Sequence, residues 1–239
     1  MKAKLLFILF ALIFISGCIQ QPAGEFVKKV SFTAEDGVAI VGNYWSGSDT
    51  AVLLLHMMPA TKESWNDFAD ALNKEGMTVL AIDLRGHGES IKQGSNTLNY
   101  IQFSDEQHQA SIKDVEAAVG FLKQNGSNTI YIAGASIGAN LALQYQANHL
   151  EVKKTILLSA GLNYRGVLTQ PSASALSSDQ AVFLIAGTKD DSAADMANQL
   201  ASSIKGPKQV KIYDTSAHGT DLFNVDPNLI STLVDWLKS

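Results

Sequence analysis

The chain has 239 residues, 46% hydrophobic and 17% charged, which suits one domain with a sizeable core and excludes a disordered chain. Eighteen lysines and arginines against 23 acids give a net charge of −5, and no basic run breaks that balance. A nucleic-acid partner needs clustered cations and is therefore excluded, while the single cysteine excludes an internal disulfide and any cysteine-based metal site.

Lys2 and Lys4 precede an unbroken apolar run, Leu5 to Ile15, too short to cross a bilayer as a helix, which takes about 20 residues. A basic start, a short apolar stretch and small residues at its end describe an export signal. Ile15-Ser16-Gly17-Cys18 resembles the lipobox of prokaryotic lipoproteins. That resemblance implies a signal peptide at 1–17, cleavage before Cys18, a diacylglycerol on its thiol and a lipidated tether at 18–26. The protein is then expected outside the cytoplasmic membrane, held to it by lipid. Losing Lys2 and Lys4 leaves 16 basic residues against 23 acidic ones, so membrane contact comes from the lipid rather than from surface charge. An ordinary secretory signal with an incidental cysteine is the alternative.

From residue 27 to 239 the pattern is that of one domain. Val27–Thr33 and Val38–Trp45 flank the turn Glu35-Asp36-Gly37 and predict an antiparallel hairpin. The runs at 51–56, 78–83, 129–134, 155–160 and 181–187 are continuously apolar, as expected of parallel strands covered on both faces. Gln209–Tyr213 makes about eight strands. Between them, Trp65, Phe68, Ala69 and Leu72 share a helical face, as do Ile112, Val115, Ala118, Val119 and Leu122. Segments 137–147, 193–204 and 229–237 read likewise. Residues 171–179, PSASALSSD, predict a flexible loop. The expected fold is α/β, a mostly parallel eight-stranded sheet with helices on both faces, whose ligands sit at the carboxyl ends of the strands.

Those ends carry the chemistry. Gly134-Ala135-Ser136-Ile137-Gly138 follows an apolar strand and opens a helix, the setting of a nucleophile elbow, where the helix dipole favours a developing negative charge. A serine hydroxyl needs a base, and the base an orienting group. Two histidines lie downstream: His149 at the end of the elbow helix, a solvated or capping position, and His218 after the last strand. Asp190 and Asp191 follow the run 181–187, and Asp191 could instead cap the next helix. No H-E-x-x-H, no paired histidines at metal spacing and no Walker-type loop occurs, so no metal or cofactor is expected. Trp45, Trp65 and Trp236 read as packing residues.

Leu53-Leu54-Leu55-His56, Asp83-Leu84-Arg85-Gly86-His87-Gly88-Glu89-Ser90, the Ser136 elbow, Asp190 and His218 together resemble the α/β-hydrolase superfamily, closest to its dienelactone-hydrolase-like and serine-aminopeptidase-like branches, over Val27 to Ser239. The resemblance implies chain order Ser136, Asp190, His218, with Gly-x-x-Asp favouring Asp190, and a structural role for the His87 loop. It implies an oxyanion hole from the Ile137 N–H and one N–H after His56, that of Met58 or alternatively Met57. The family usually has glycine after that histidine, whereas here two methionines follow and are expected to line the acyl pocket.

The reaction expected is acyl transfer from a small carboxylic ester, a short acyl or aryl one. His218 takes the Ser136 proton, so activity falls as acid protonates the imidazole. Only twenty residues, Gly161 to Gln180, separate the strands where a cap would sit, which leaves little or no cap domain. Arg165 lies in that gap and reads as a solvated arginine or a partner for a substrate carboxylate. An aminopeptidase-like amide hydrolase and a non-catalytic binding lipoprotein on the same scaffold are the alternatives. The sequence does not specify oligomeric state.

Overall fold

The computed structural model describes residues 27–239; the export signal, Cys18 and the tether fall outside the described residues. In chain order the domain runs β1 (Lys28–Thr33), β2 (Val38–Trp45), β3 (Thr50–Leu55), α1 (Asn66–Lys74), β4 (Thr78–Ile82), β5 (Lys92–Gln93), β6 (Asn96–Thr97), α2 (Asp105–Gln109) and α3 (Ile112–Gln124). There follow β7 (Thr129–Ala135), α4 (Ile137–Asn148), β8 (Lys154–Leu158), β9 (Asn163–Tyr164), β10 (Val167–Leu168), α5 (Gln170–Ala175), β11 (Ala181–Gly187), α6 (Ala193–Ser203), β12 (Lys208–Tyr213) and α7 (Leu229–Lys238).

The main sheet has ten strands in the order β12-β11-β8-β7-β3-β4-β2-β5-β6, with β1 on β2. Eight are the expected strands, and the other two are the two-residue β5 and β6. From β4 to β12 every pairing is parallel; β2 joins β4, β1 and β5 antiparallel. Apolar side chains of the parallel strands alternate between two cores. Leu53, Leu55, Leu80, Ile132, Leu157 and Leu184 face α3, α4 and α6, while Val52, Leu54, Val79, Ala133, Ile156 and Ile185 face α1 and α7. With both faces covered, a strand gains nothing from polar alternation, which is why these runs are continuously apolar.

Two local features depart from the sequence reading. Residues 171–175 of the expected loop belong to α5, with Pro171 in its first turn and Ala173 buried where α5 packs on α4 and α6. Before α3, a capping box between Ser104 and Gln107 starts the short α2, which the sequence reading did not identify. Parallel strands all point their carboxyl ends one way, so the loops after β3, β7, β8, β11 and β12 gather at a single rim.

Candidate active site

Ser136 occupies the turn between β7 and α4 at φ 53 and ψ −119, a conformation that costs a non-glycine residue about 1–3 kcal/mol. Ser136 N–H donates to Leu158 O at 2.8 Å and Asn140 N–H to Ser136 O at 3.1 Å, so the strain is held from both sides. The flanking glycines are steric requirements. A methyl group on Gly134 would strike the Gly138 carbonyl, and one on Gly138 would strike the carbonyls of Leu55 and His56. Ser136 is 7% exposed and stands at the N-terminus of a twelve-residue helix.

His218 lies after β12 and Asp190 after β11. The His218 Nδ1 is 2.8 Å from Asp190 Oδ2 and 2.9 Å from Oδ1. A carboxylate can only accept, so Nδ1 carries the proton and donates, and Nε2 keeps its lone pair, the tautomer a base requires. The acid loop is laced to the histidine loop by Thr188 N–H to Tyr213 O and Lys189 N–H to Thr215 O. Asp191, at φ 41, makes no described bond to His218, and Ser192 rather than Asp191 is the N-cap of α6. His149 caps α4, its ring stacked on Tyr145 and its Nδ1 2.8 Å from Tyr145 O.

A tyrosine that the sequence reading did not assign to the site meets Ser136. The Tyr164 hydroxyl lies near the Ser136 side chain and donates to Ser159 O at 3.3 Å. Burial, aided by the charges of Asp190 and Asp191, pushes the phenol up to about 12, so it remains a donor. Its ring lies against Gly161 and meets His218 edge-on at 6.3 Å. Among the described residues no hydrogen bond joins Ser136 to His218. Ser159, itself at φ 50, accepts from Gly219 N–H at 3.0 Å and thereby ties the histidine loop to the end of β8. Tyr164 is delivered by a two-residue hairpin whose central Arg165 and Gly166 both have positive φ, and Asn163 Oδ1 accepts from Gly166 N–H. Buried Asn140 pins this hairpin to α4 through Gly161 N–H and Val167 O. The signal in the sequence was the turn Asn163-Tyr164-Arg165-Gly166.

After β3, His56 accepts from Leu84 N–H at its Nε2, so its Nδ1–H donates to Met57 O at 2.8 Å. Burial lowers its proton affinity and keeps it neutral. With Met57 O held inward, planarity of the peptide unit turns the Met58 N–H the opposite way. Neither Met58 nor Ile137 N–H has an acceptor among the described residues. Met58 lines a cavity, and the Met57 side chain packs on Gly219 and the core between α1 and α7.

The loop 83–90 is held by charged partners from other stretches of the chain. Asp83 accepts from Lys62 N–H, Lys62 Nζ and Glu89 N–H, and Arg85 spans Asp114 and Asp36. His87 is stacked on Tyr100 with Nδ1 3.1 Å from Arg85 O, and burial drives it down to about 3, too weak a base for this chemistry. Trp65 is fully buried beside Phe68 and Phe223. Among the described residues no cluster of three His, Cys, Asp or Glu suits a metal, and no helix is long and apolar enough to cross a membrane.

Residues 50–202 match the family model described as the α/β hydrolase fold. A thermostable monoacylglycerol lipase of a Bacillus species is 29% identical over 120 residues, 50% of this chain and 44% of that one. A non-heme haloperoxidase of Rhodococcus erythropolis is 31% identical over 130 residues, 54% and 43% of the two chains. The chain thus spans less than half the length of these relatives. Among solved structures, an esterase of Pyrococcus furiosus superposes with a TM-score of 0.72 at 22% identity, covering 89% of this chain and 91% of its own. An esterase of Exiguobacterium antarcticum gives 0.71 at 16% identity, covering 89% and 100%.

Proposed function

Because the chain belongs to the α/β hydrolase family, we propose that it is a serine carboxylesterase using Ser136, His218 and Asp190 on short acyl or aryl esters. The observation that carries this reading is the His218–Asp190 pair, with Nδ1 2.8 Å from the carboxylate and Nε2 left to accept a proton. The strained Ser136 turn, and the esterase and lipase names of similar proteins, support it.

On substrate binding, the Ser136 hydroxyl donates to His218 Nε2. Nε2 takes the hydroxyl proton as Oγ attacks the ester carbonyl. Charge on the carbonyl oxygen is met by the N–H groups of Met58 and Ile137 at the positive end of α4, and Asp190 stabilises the imidazolium. His218 then protonates the leaving alcohol, and water releases the acid by the reverse sequence. The test is hydrolysis of para-nitrophenyl acetate and butyrate by the wild-type protein and Ser136→Ala. The expected result is turnover in the first and loss of at least about a thousandfold in the second; equal turnover in both would overturn the reading.

We further propose that the enzyme works outside the cytoplasmic membrane, anchored through lipid on Cys18, on the strength of Ile15-Ser16-Gly17-Cys18. Labelled fatty acid should enter the wild-type protein and not Cys18→Ser, whose membrane fraction should also empty. Labelling of both would contradict the assignment.

A further inference from the structure

Beside the oxyanion loop lies a cavity of about 260 Å³. At about 30 Å³ per water-sized atom it holds roughly eight or nine non-hydrogen atoms, the size of a short acyl chain or one aromatic ring. Its walls join Met58, Tyr100, Ile101 and Phe103 to polar surface of nearly equal extent. Two polar groups interrupt them: the Arg165 guanidinium from the tip of the β9–β10 hairpin, and the imidazole of His108 from α2.

His108 packs edge-on against Phe103, yet neither group has a polar partner in the fold among the described residues. Arg165 has no carboxylate within 4 Å and no hydrogen bond among the described residues; Asp105 lies beneath neighbouring Gly166 and acts on His108, yet forms no ion pair with Arg165. His108 is only 4% exposed, and neither ring nitrogen has a partner among the described residues. Burial first, then the Arg165 charge, lowers its proton affinity, so it is a neutral ring able to donate one N–H. Arg165 also sits at φ 51, where Asn, Asp or Gly is the unstrained choice, so turn geometry does not account for an arginine there. The cavity adjoins the proposed oxyanion hole through Met58, and Arg165 follows Tyr164 in the hairpin that packs against His218.

We propose that this cavity is a subsite for esters bearing a carboxylate at the end of one limb, gripped by the Arg165 fork with a hydrogen bond from His108. A neutral limb would use the apolar wall alone. A carboxylate satisfies both groups, because a guanidinium pairs with it through two parallel N–H bonds and the imidazole adds a third donor. The proposal rests on the esterase reading and goes further, to the class of substrate.

Two ester pairs test it and identify the limb. Para-nitrophenyl butyrate against mono-para-nitrophenyl glutarate places the carboxylate on the acyl side; phenyl acetate against meta-carboxyphenyl acetate places it on the alcohol side. For the carboxylate ester of one pair, Arg165→Gln should lower kcat/KM about 10- to 100-fold, chiefly through KM, the range expected for a charge-assisted bond. It should leave both neutral esters within about twofold. Arg165→Lys should restore part of the loss, and His108→Phe should reproduce part of it. Equal effects on neutral and carboxylate esters, or no effect on either, would overturn the subsite while leaving the esterase reading intact. A wild-type protein that hydrolyses neither neutral ester would overturn the esterase reading, and the subsite with it.

Discussion

Asp190 and Asp191 are adjacent in sequence, and only Asp190 is hydrogen-bonded to His218 among the described residues. Asp190 places both oxygens within 2.9 Å of His218 Nδ1, while the backbone of Asp191, at φ 41, carries its side chain out of that contact. Asp190→Asn offers the ring an amide that cannot hold the same tautomer, and kcat should fall about a thousandfold or more; Asp191→Asn should remain within about threefold. Steady-state kinetics on one ester decides, and similar losses in both would place the orienting group elsewhere. Both aspartates were legible because they follow an apolar strand. Tyr164 and Ser159 were not, since their part depends on a left-handed turn at Arg165-Gly166 and another at Ser159 that bring hydroxyl, carbonyl and histidine loop together.

At the scale of elements, the five central parallel strands could be read directly from apolar runs and α1, α3, α6 and α7 from three-to-four spacing, whereas α4 is buried on nearly every side, Asn140 and Gln146 included. What could not be read was anything set by partners distant in sequence. The loop 83–90 resembled a structural segment, but its supports, Lys62, Asp114 and Asp36, lie on three other stretches of chain. α5 has few apolar residues and shows no periodicity, and is secured by small residues between α4 and α6. Two glycines give a sharp contrast. Gly138 presses on backbone carbonyls of β3 and the oxyanion loop, which cannot yield as a side chain would, whereas Gly120 in α3 has no atom near an added methyl. Gly138→Ala should lower the melting temperature by about 3–10 °C, and Gly120→Ala should raise it by about 2–4 °C. Equal shifts in a thermal melt would mean that the elbow is looser than its contacts imply.

For the whole molecule, buried histidines tie stability to pH. Burial lowers the proton affinity of His56, His87 and His108, and brings His87 to about 3 from 6.5. The unfolded chain therefore binds protons that the folded one refuses, and stability present above about pH 6.5 is lost as pH falls below it. Each histidine contributes a slope of at most about 1.4 kcal/mol per pH unit. Asp114, pushed up to about 6 by burial against the opposing pull of Arg85, acts in the other direction below that pH, but one carboxylate opposes three imidazoles. Urea denaturation should show stability declining from pH 7 to 5, and declining less in His87→Phe; a flat profile would contradict this account. The central claim, an activated Ser136 served by His218, is tested most directly by fluorophosphonate labelling of a soluble fragment beginning near Gln20, with the modified peptide located by mass spectrometry. The wild-type fragment should label at Ser136 and neither Ser136→Ala nor His218→Ala should label at a comparable rate. A folded wild-type fragment that stays unlabelled, or labels equally fast without His218, would contradict it.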